Sequence, residues 1–262
     1  MEQIWETENR ALTLNVSIKC SGKGLFRVTA QDSKPFSFYA NRQIVVDGYR
    51  TINLSFPVTP KKLKINVEAV SNSKFEKSDF IVKIEESTLK TYDTTITSET
   101  KHFLELAVYF SQVCGFEKPN ANGRIFQTKD KKFNLKYFPK IIDFKTGRVL
   151  NTPARIGHST GIIEVSQASM VKYTVAQRMV ILLHEYSHKY MNPKQGRDIS
   201  DEVGADLNAL YIYLGLGFSK VDAIFVFANV FLKAQTPSNL DRMRKIMDYI
   251  KRFENEEFAK EN

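Results

Sequence analysis

Cysteine is almost missing from this chain: Cys20 and Cys114 are the only two among 262 residues. They fall in different candidate domains, which excludes a disulfide framework and predicts two buried free thiols. Long apolar runs are missing as well. No stretch approaches the roughly 18 residues of a membrane span, so no membrane association is expected. The opening Met1-Glu2-Gln3-Ile4-Trp5-Glu6 lacks both a basic start and an apolar core, so no signal peptide is expected and the location read from it is cytoplasmic. Internal repeats and low-complexity tracts are absent too; only the polar tail Glu254–Asn262 is expected to fray. What remains, with 42% hydrophobic residues, is enough apolar material for one large domain or two small ones.

The net charge of +9 is unevenly placed. Residues 101–150 hold ten Lys and Arg against four Asp and Glu. The basic cluster is Lys129, Lys131, Lys132, Lys136, Lys140, Lys145 and Arg148, interleaved with Phe126, Phe133, Tyr137, Phe138 and Phe144. Such interleaving suits an acidic or nucleic-acid partner. It suits better a set of strands whose aromatics face the core and whose lysines guard exposed edges. No nucleic-acid-binding signature accompanies it, so a nucleic-acid partner is not expected.

Two kinds of periodicity divide the chain. Over residues 11–88 apolar residues alternate with period two: Leu12, Leu14, Val16, Ile18 and Cys20, then Phe26, Val28 and Ala30, then Phe36 and Phe38. Ile44 and Val46, Ile52, Leu54 and Phe56, Leu63, Ile65 and Val67, and Phe80, Val82 and Ile84 continue the pattern. Turn chemistry at Ser21-Gly22, Asp32-Ser33, Asp47-Gly48, Pro57, Pro60 and Ser71-Asn72-Ser73 separates them into about seven short strands. The pattern predicts an antiparallel β-sandwich over residues 1–95. It carries no concentrated polar constellation and reads as an interaction module for a protein partner. From Glu99 the spacing becomes helical through Phe103, Leu106, Ala107 and Phe110. Short strands are predicted near Arg124–Gln127, Lys132–Phe138, Lys140–Asp143 and Gly161–Ser166. Helices are predicted at about 200–214, 219–234 and 238–258, separated by Gly215-Leu216-Gly217 and Thr236-Pro237. The whole is an α+β protein whose second domain spans 96–262.

Chemistry concentrates in His184-Glu185-Tyr186-Ser187-His188, an HExxH arrangement. On a helix, residues four apart share a face, so His184 and His188 can aim imidazole nitrogens at one cation. Glu185 lies about 100° further round the helix, close enough to act on a water at that cation but poorly placed to ligate it. The preceding run Val175–Leu183 is apolar enough to be buried, and buried histidines need partners. A tetrahedral site needs a third protein ligand, and Asp201-Glu202-Val203-Gly204-Ala205-Asp206 follows, with Glu202 fourteen residues past His188. Pro193 and Gly196 allow the chain to reverse, and Ser200 or Asp198 can cap a second helix. Glu202 and Asp206 then share a face, and Gly204 between them permits close helix approach.

These two motifs in this order resemble the gluzincins, zinc metallopeptidases marked by HExxH followed by Glu-x-x-Ala-Asp, matched here by Glu202, Ala205 and Asp206. The resemblance implies a small zincin-like domain built as helix, mixed sheet, active-site helix and helical C-terminal part. It implies Zn2+ held by His184, His188 and Glu202, with Asp206 orienting His184 and Glu185 acting as base and then acid in peptide-bond hydrolysis. The gap after His188 is short for the group, which leaves Asp206 or Asp201 open as the ligating carboxylate. By the same resemblance the strand Gly161, Ile162, Ile163, Glu164, Val165 and Ser166 pairs with an extended polypeptide substrate. Tyr190, Tyr211 and Tyr213 are candidates for a phenol at the oxyanion, although core packing suits all three. His102 and His158 lack ligand spacing and read as surface or structural histidines. A different role is open on the same residues: a structural subunit of a large assembly, such as a bacteriophage head–tail or virion component, that uses a zincin fold as a building block.

Overall fold

The computed structural model describes residues 1–70, 79–92, 94, 96–157, 159–190 and 201–259. The chain forms two compact units, Met1–Thr91 and Tyr92–Asn262; the sequence alone placed the division after residue 95. The expected turn at Ser71-Asn72-Ser73 lies outside the described residues, as do Pro193, Gly196, Asp198, Ser200 and His158.

The first unit is one five-stranded antiparallel sheet. Its strands are β1 (Glu2–Glu6), β2 (Leu12–Gln31), β3 (Phe38–Phe56), β4 (Lys62–Ala69) and β5 (Phe80–Ser87). The expected seven short strands merge here into fewer, longer ones, because two of the turn signals bend the chain without reversing it. β2 and β3 form a long hairpin whose register slips between Lys19 and Lys23. Gly48 sits at that slip with φ of +69°, a conformation glycine adopts without steric cost. Beyond the bulge β2 changes neighbour: Thr13–Cys20 pair with β5, and Phe26–Gln31 pair with β4. Phe36, expected on a strand, instead takes φ of +54° in the connection between β2 and β3 and is exposed. Leu14, Val16 and Ile18, then Phe26, Val28 and Ala30, are buried together with Leu63, Ile65 and Val67. The alternating face is thus the core. β1, which the sequence pattern missed, pairs with β4.

The second unit combines a mixed sheet with helices. Helix α1 (Ser98–Val113) starts at Thr97, whose hydroxyl accepts from the backbone N–H of Thr100. Then come β6 (Arg124–Gln127), β7 (Asn134–Phe138), β8 (Ala154–Ile156), β9 (Ile163–Ser166), the short α2 (Gln167–Met170) and α3 (Val175–Lys189). After it lie α4 (Glu202–Gly215), α5 (Lys220–Val226), a π-helical turn Phe227–Phe231, and α6 (Pro237–Ala259). The sheet order is β6-β7-β9-β8, with β7 and β9 parallel and the outer pairs antiparallel. Residues 140–143 hold a single bridge, Ile142 to Val149, where a strand was expected. Among the described residues no helix is long and apolar enough to cross a membrane.

Helix α3 is the centre of this unit. Every residue from Val175 to His188 is buried, and it packs against α1, α4, α5, β8 and β9. Thr174 and Gln177 form a reciprocal capping box at its start. Tyr186 stacks on Phe103 of α1 with ring centroids 4.1 Å apart, and its hydroxyl lies 2.9 Å from that of Thr100. Asn208 of α4 donates to the Ser187 hydroxyl at 2.9 Å, fixing the α3–α4 register. Arg178 is wholly buried; its guanidinium donates to the carbonyls of Met170 and Ser111. Within the basic region Phe126, Phe133 and Tyr137 are buried while Lys129, Lys131, Lys132 and Lys140 are exposed, the core-and-edge arrangement. Phe144, at 83% exposure, departs from it.

Cys114 closes α1 in the core, and burial pushes its thiol up to about 11. Iodoacetamide at about pH 8 should therefore leave Cys114 unmodified in the folded protein and label it after unfolding. Labelling of the native protein at the unfolded rate would contradict this packing.

Candidate metal centre

Five charged or metal-binding side chains meet where the end of α3 faces the start of α4. His184 and His188, one turn apart on α3, bring their Nε2 atoms to 3.1 Å of each other. Glu202, the first residue of α4, places Oε1 3.5 Å from His188 Nε2 and Oε2 3.7 Å from His184 Nε2. Asp201 is the residue before the helix, and the long carboxylate of Glu202 projects from the first turn, where the helix dipole favours negative charge. Asp206, one turn deeper, sits behind His184 with Oδ1 2.9 Å from Nδ1. That distance is a hydrogen bond's, but the ring N–H points off the line between the atoms. The contact is closer to an ion-pair approach than to a straight bond.

Burial separates the roles of the two carboxylates. The side chain of Asp206 is 1% exposed and that of His184 3%, whereas that of Glu202 is 51% exposed. The site therefore opens to solvent on the Glu202 side and is closed behind His184. Phe231 from the π-helical turn stacks on the His184 ring with centroids 4.0 Å apart, fixing its plane. Burial opposes protonation of His184, but its contact with Asp206, helped by the charges of Glu185 and Glu202, outweighs burial and raises its pKa. Glu185 is buried, and desolvation raises its pKa against the pull of His184 and of a hydrogen bond from the Ile156 backbone. That bond ties the Glu185 carboxylate to β8.

Arg242 was not visible as a site residue from the sequence. It reaches in from α6 and donates from Nε to Asp206 Oδ2 at 2.9 Å and from Nη2 to Oδ1 at 3.1 Å. The same Nη2 lies 3.0 Å from Glu202 Oε2. One signal could have found it. Ile246, Ile250 and Phe253 mark the buried face of α6, and Arg242 is four residues before Ile246, on that face, where a charge needs a partner.

The strand that precedes α3, expected to offer an open edge, does not do so. Ile163–Ser166 is interior, paired with β7 on one side and β8 on the other, and the Ile162 carbonyl accepts from Gly157. Gly161 donates to the Gly157 carbonyl. With both edges occupied, Gly161–Ser166 has no open ladder for an extended substrate. Among the described residues β8 is the edge strand on this side of the sheet. The tyrosines also sort themselves. Tyr213 is core, stacked on Phe218. Tyr211 is half-buried on α4. Tyr190 packs its hydroxyl over Gly161, where a Cβ would collide with it. His102 is a surface residue 3.4 Å from Asp130.

The donor set can be tested against a metal on its own geometry. Atoms held at about 2.0–2.2 Å around a tetrahedral centre lie about 3.3–3.5 Å from one another. The two Nε2 atoms stand 3.1 Å apart, and Glu202 turns a different oxygen to each, Oε1 at 3.5 Å from His188 and Oε2 at 3.7 Å from His184; taking one ligand atom from each of the three residues, all fall within 4.8 Å of one another. Two imidazoles with one carboxylate suit zinc and its neighbours in the first transition row, not magnesium or calcium. Asp201 lies at the N-cap and Asp206 behind the imidazole; the cluster of potential ligands comprises His184, His188 and Glu202.

The chain matches no known family model, no curated protein and no solved structure.

Titrating metal-free protein with zinc should show one tight site. Glu202→Ala should abolish it and Asp206→Asn should weaken it by about 10- to 100-fold, the usual loss when a ligand's hydrogen-bonding partner is removed. Zinc binding undiminished in Glu202→Ala would overturn the assignment of the third ligand.

Proposed function

We propose that the protein is a zinc-dependent peptide hydrolase of gluzincin type. The observation that carries this reading is the convergence of His184, His188 and Glu202 around one point, with Glu185 buried beside it and tied to the edge of a sheet. When bound, zinc supplies a Lewis acid that acidifies water and polarises a carbonyl.

The remaining work falls to side chains. Glu185 is the base: its carboxylate, with a proton affinity raised by burial, takes a proton from the attacking water and returns it to the departing amine. Its hydrogen bond from the Ile156 backbone holds it in place between those two transfers. Asp206 and the ring of Phe231 fix the orientation of His184. The exposed side of Glu202 leaves the approach open, and a polypeptide in extended form would lie along β8, Ala154–Ile156, whose outer edge adjoins Glu185. Strand pairing recognises backbone and is indifferent to side chains, so an unfolded polypeptide is the substrate class we assign.

Glu185→Gln is the direct test, because it keeps the size of the side chain and removes the base. The variant should bind zinc as wild type does and lose at least about 100-fold in turnover of an unstructured protein substrate. Cleavage by Glu185→Gln at the wild-type rate would refute the mechanism. Zinc-loaded wild type with no activity on any unfolded polypeptide would instead favour a structural use of the fold.

A further inference from the structure

The charges around the site do not balance without a residue from the far end of the chain. Three carboxylates, Glu185, Glu202 and Asp206, surround two imidazoles, and two of the three are buried. A divalent cation would leave one negative charge over, and an uncompensated buried charge is strongly destabilising. Arg242 supplies the missing positive charge. Its side chain is 11% exposed, and its partners Asp206 and Glu202 belong to α4, remote in sequence. Its neighbours behave differently. Arg244 and Lys245 pair with Asp241, three and four residues away on their own helix, and are exposed.

The contact is also shaped, not merely charged. The guanidinium grips both oxygens of Asp206, a planar fork on a carboxylate. One of the same nitrogens then reaches Glu202 Oε2, while Glu202 Oε1 faces His188. One arginine thus fixes the carboxylate beside His184 and also fixes Oε2 of Glu202, the oxygen that faces His184 Nε2. A lysine could carry the charge but not the fixed fork on both oxygens of Asp206.

We propose that Arg242 is a positioning residue for the metal centre, so that α6 is part of the site and not an accessory to the fold. This rests on the metal reading above. Arg242 orders Asp206 and Glu202 before the cation arrives, which raises affinity by removing the cost of collecting two like charges beside each other.

The test is zinc affinity by chelator competition on the full chain, in wild type, Arg242→Met, Arg242→Lys, Asp206→Asn and the Arg242→Met/Asp206→Asn double variant. Folding of each metal-free protein is followed by circular dichroism. Arg242→Met should bind zinc about 10- to 100-fold more weakly than wild type, and Arg242→Lys should recover part of that loss. In the double variant the combined loss should be smaller than the product of the two single losses, because both act through the same carboxylate. A merely structural arginine would lower thermal stability and leave the affinity of the folded fraction unchanged. Unchanged or tighter zinc binding in Arg242→Met, or losses that multiply, would overturn the proposal. If Arg242→Met does not fold, Arg242→Lys decides: affinity equal to wild type overturns the proposal and a several-fold loss supports it. Wild type without zinc affinity would refute the metal reading itself, a different outcome from zinc-binding wild type and an equally competent Arg242→Met.

Discussion

Asp206 is a carboxylate with almost no access to water, and the arrangement of the second unit follows from what that requires. A buried carboxylate is tolerated only when cations and hydrogen-bond donors surround it. Asp206 has the His184 ring on one side and the Arg242 guanidinium on the other. Meeting that need joins three helices, since α3 carries the histidine, α4 the aspartate and α6 the arginine. The histidine end of α3 is held from behind by these contacts and from the side by Phe231 and the Tyr186–Phe103 stack. The only side left for the Nε2 atoms to face is the one where Glu202 meets solvent. The group of side chains that could hold a cation is therefore the open end of a polar network whose closed end is structural.

Much of this was legible in the sequence because the relevant signals are local. HExxH places two histidines on one helical face by geometry alone, and the Glu-x-x-Ala-Asp run does the same for Glu202 and Asp206 on the next helix. The strand at 124–127, most of the one expected at 132–138, and the helical C-terminal part were likewise set by short-range patterns. The prediction failed where pairing partners are decided at long range. Strand β8 is only three residues long and has no periodicity to detect, yet it displaces Gly161–Ser166 from the sheet edge. Ser21-Gly22 and Asp47-Gly48 carry ordinary turn chemistry, but in a strand pair that resumes beyond them with a shifted register they produce a bulge. Arg242 lies on a helix with several other cations, and its place on the face of Ile246, Ile250 and Phe253 marks it out only once its partners on α4 are known.

The two units differ in what their chemistry offers. The first is a sheet whose exposed face carries alternating charges, such as Lys62 with Glu6 and Lys64 with Glu2, pairs that in water contribute little to stability. The second buries polar side chains at several places, Arg178 and the Gln177–Asp222 pair among them, but at one of them it brings two imidazoles and a carboxylate within ligand distance of one another.

The central claim is that His184, His188 and Glu202 ligate one cation with Glu185 standing free of it. Anomalous diffraction from zinc-soaked crystals, recorded at the zinc absorption edge, tests it most directly. The account predicts a single peak about 2.0–2.2 Å from the Nε2 atoms of both histidines and from one Glu202 oxygen, with Asp206 on the far side of the His184 ring. A peak ligated by Asp206 or Glu185 in place of Glu202, or no peak between the two histidines, would contradict it.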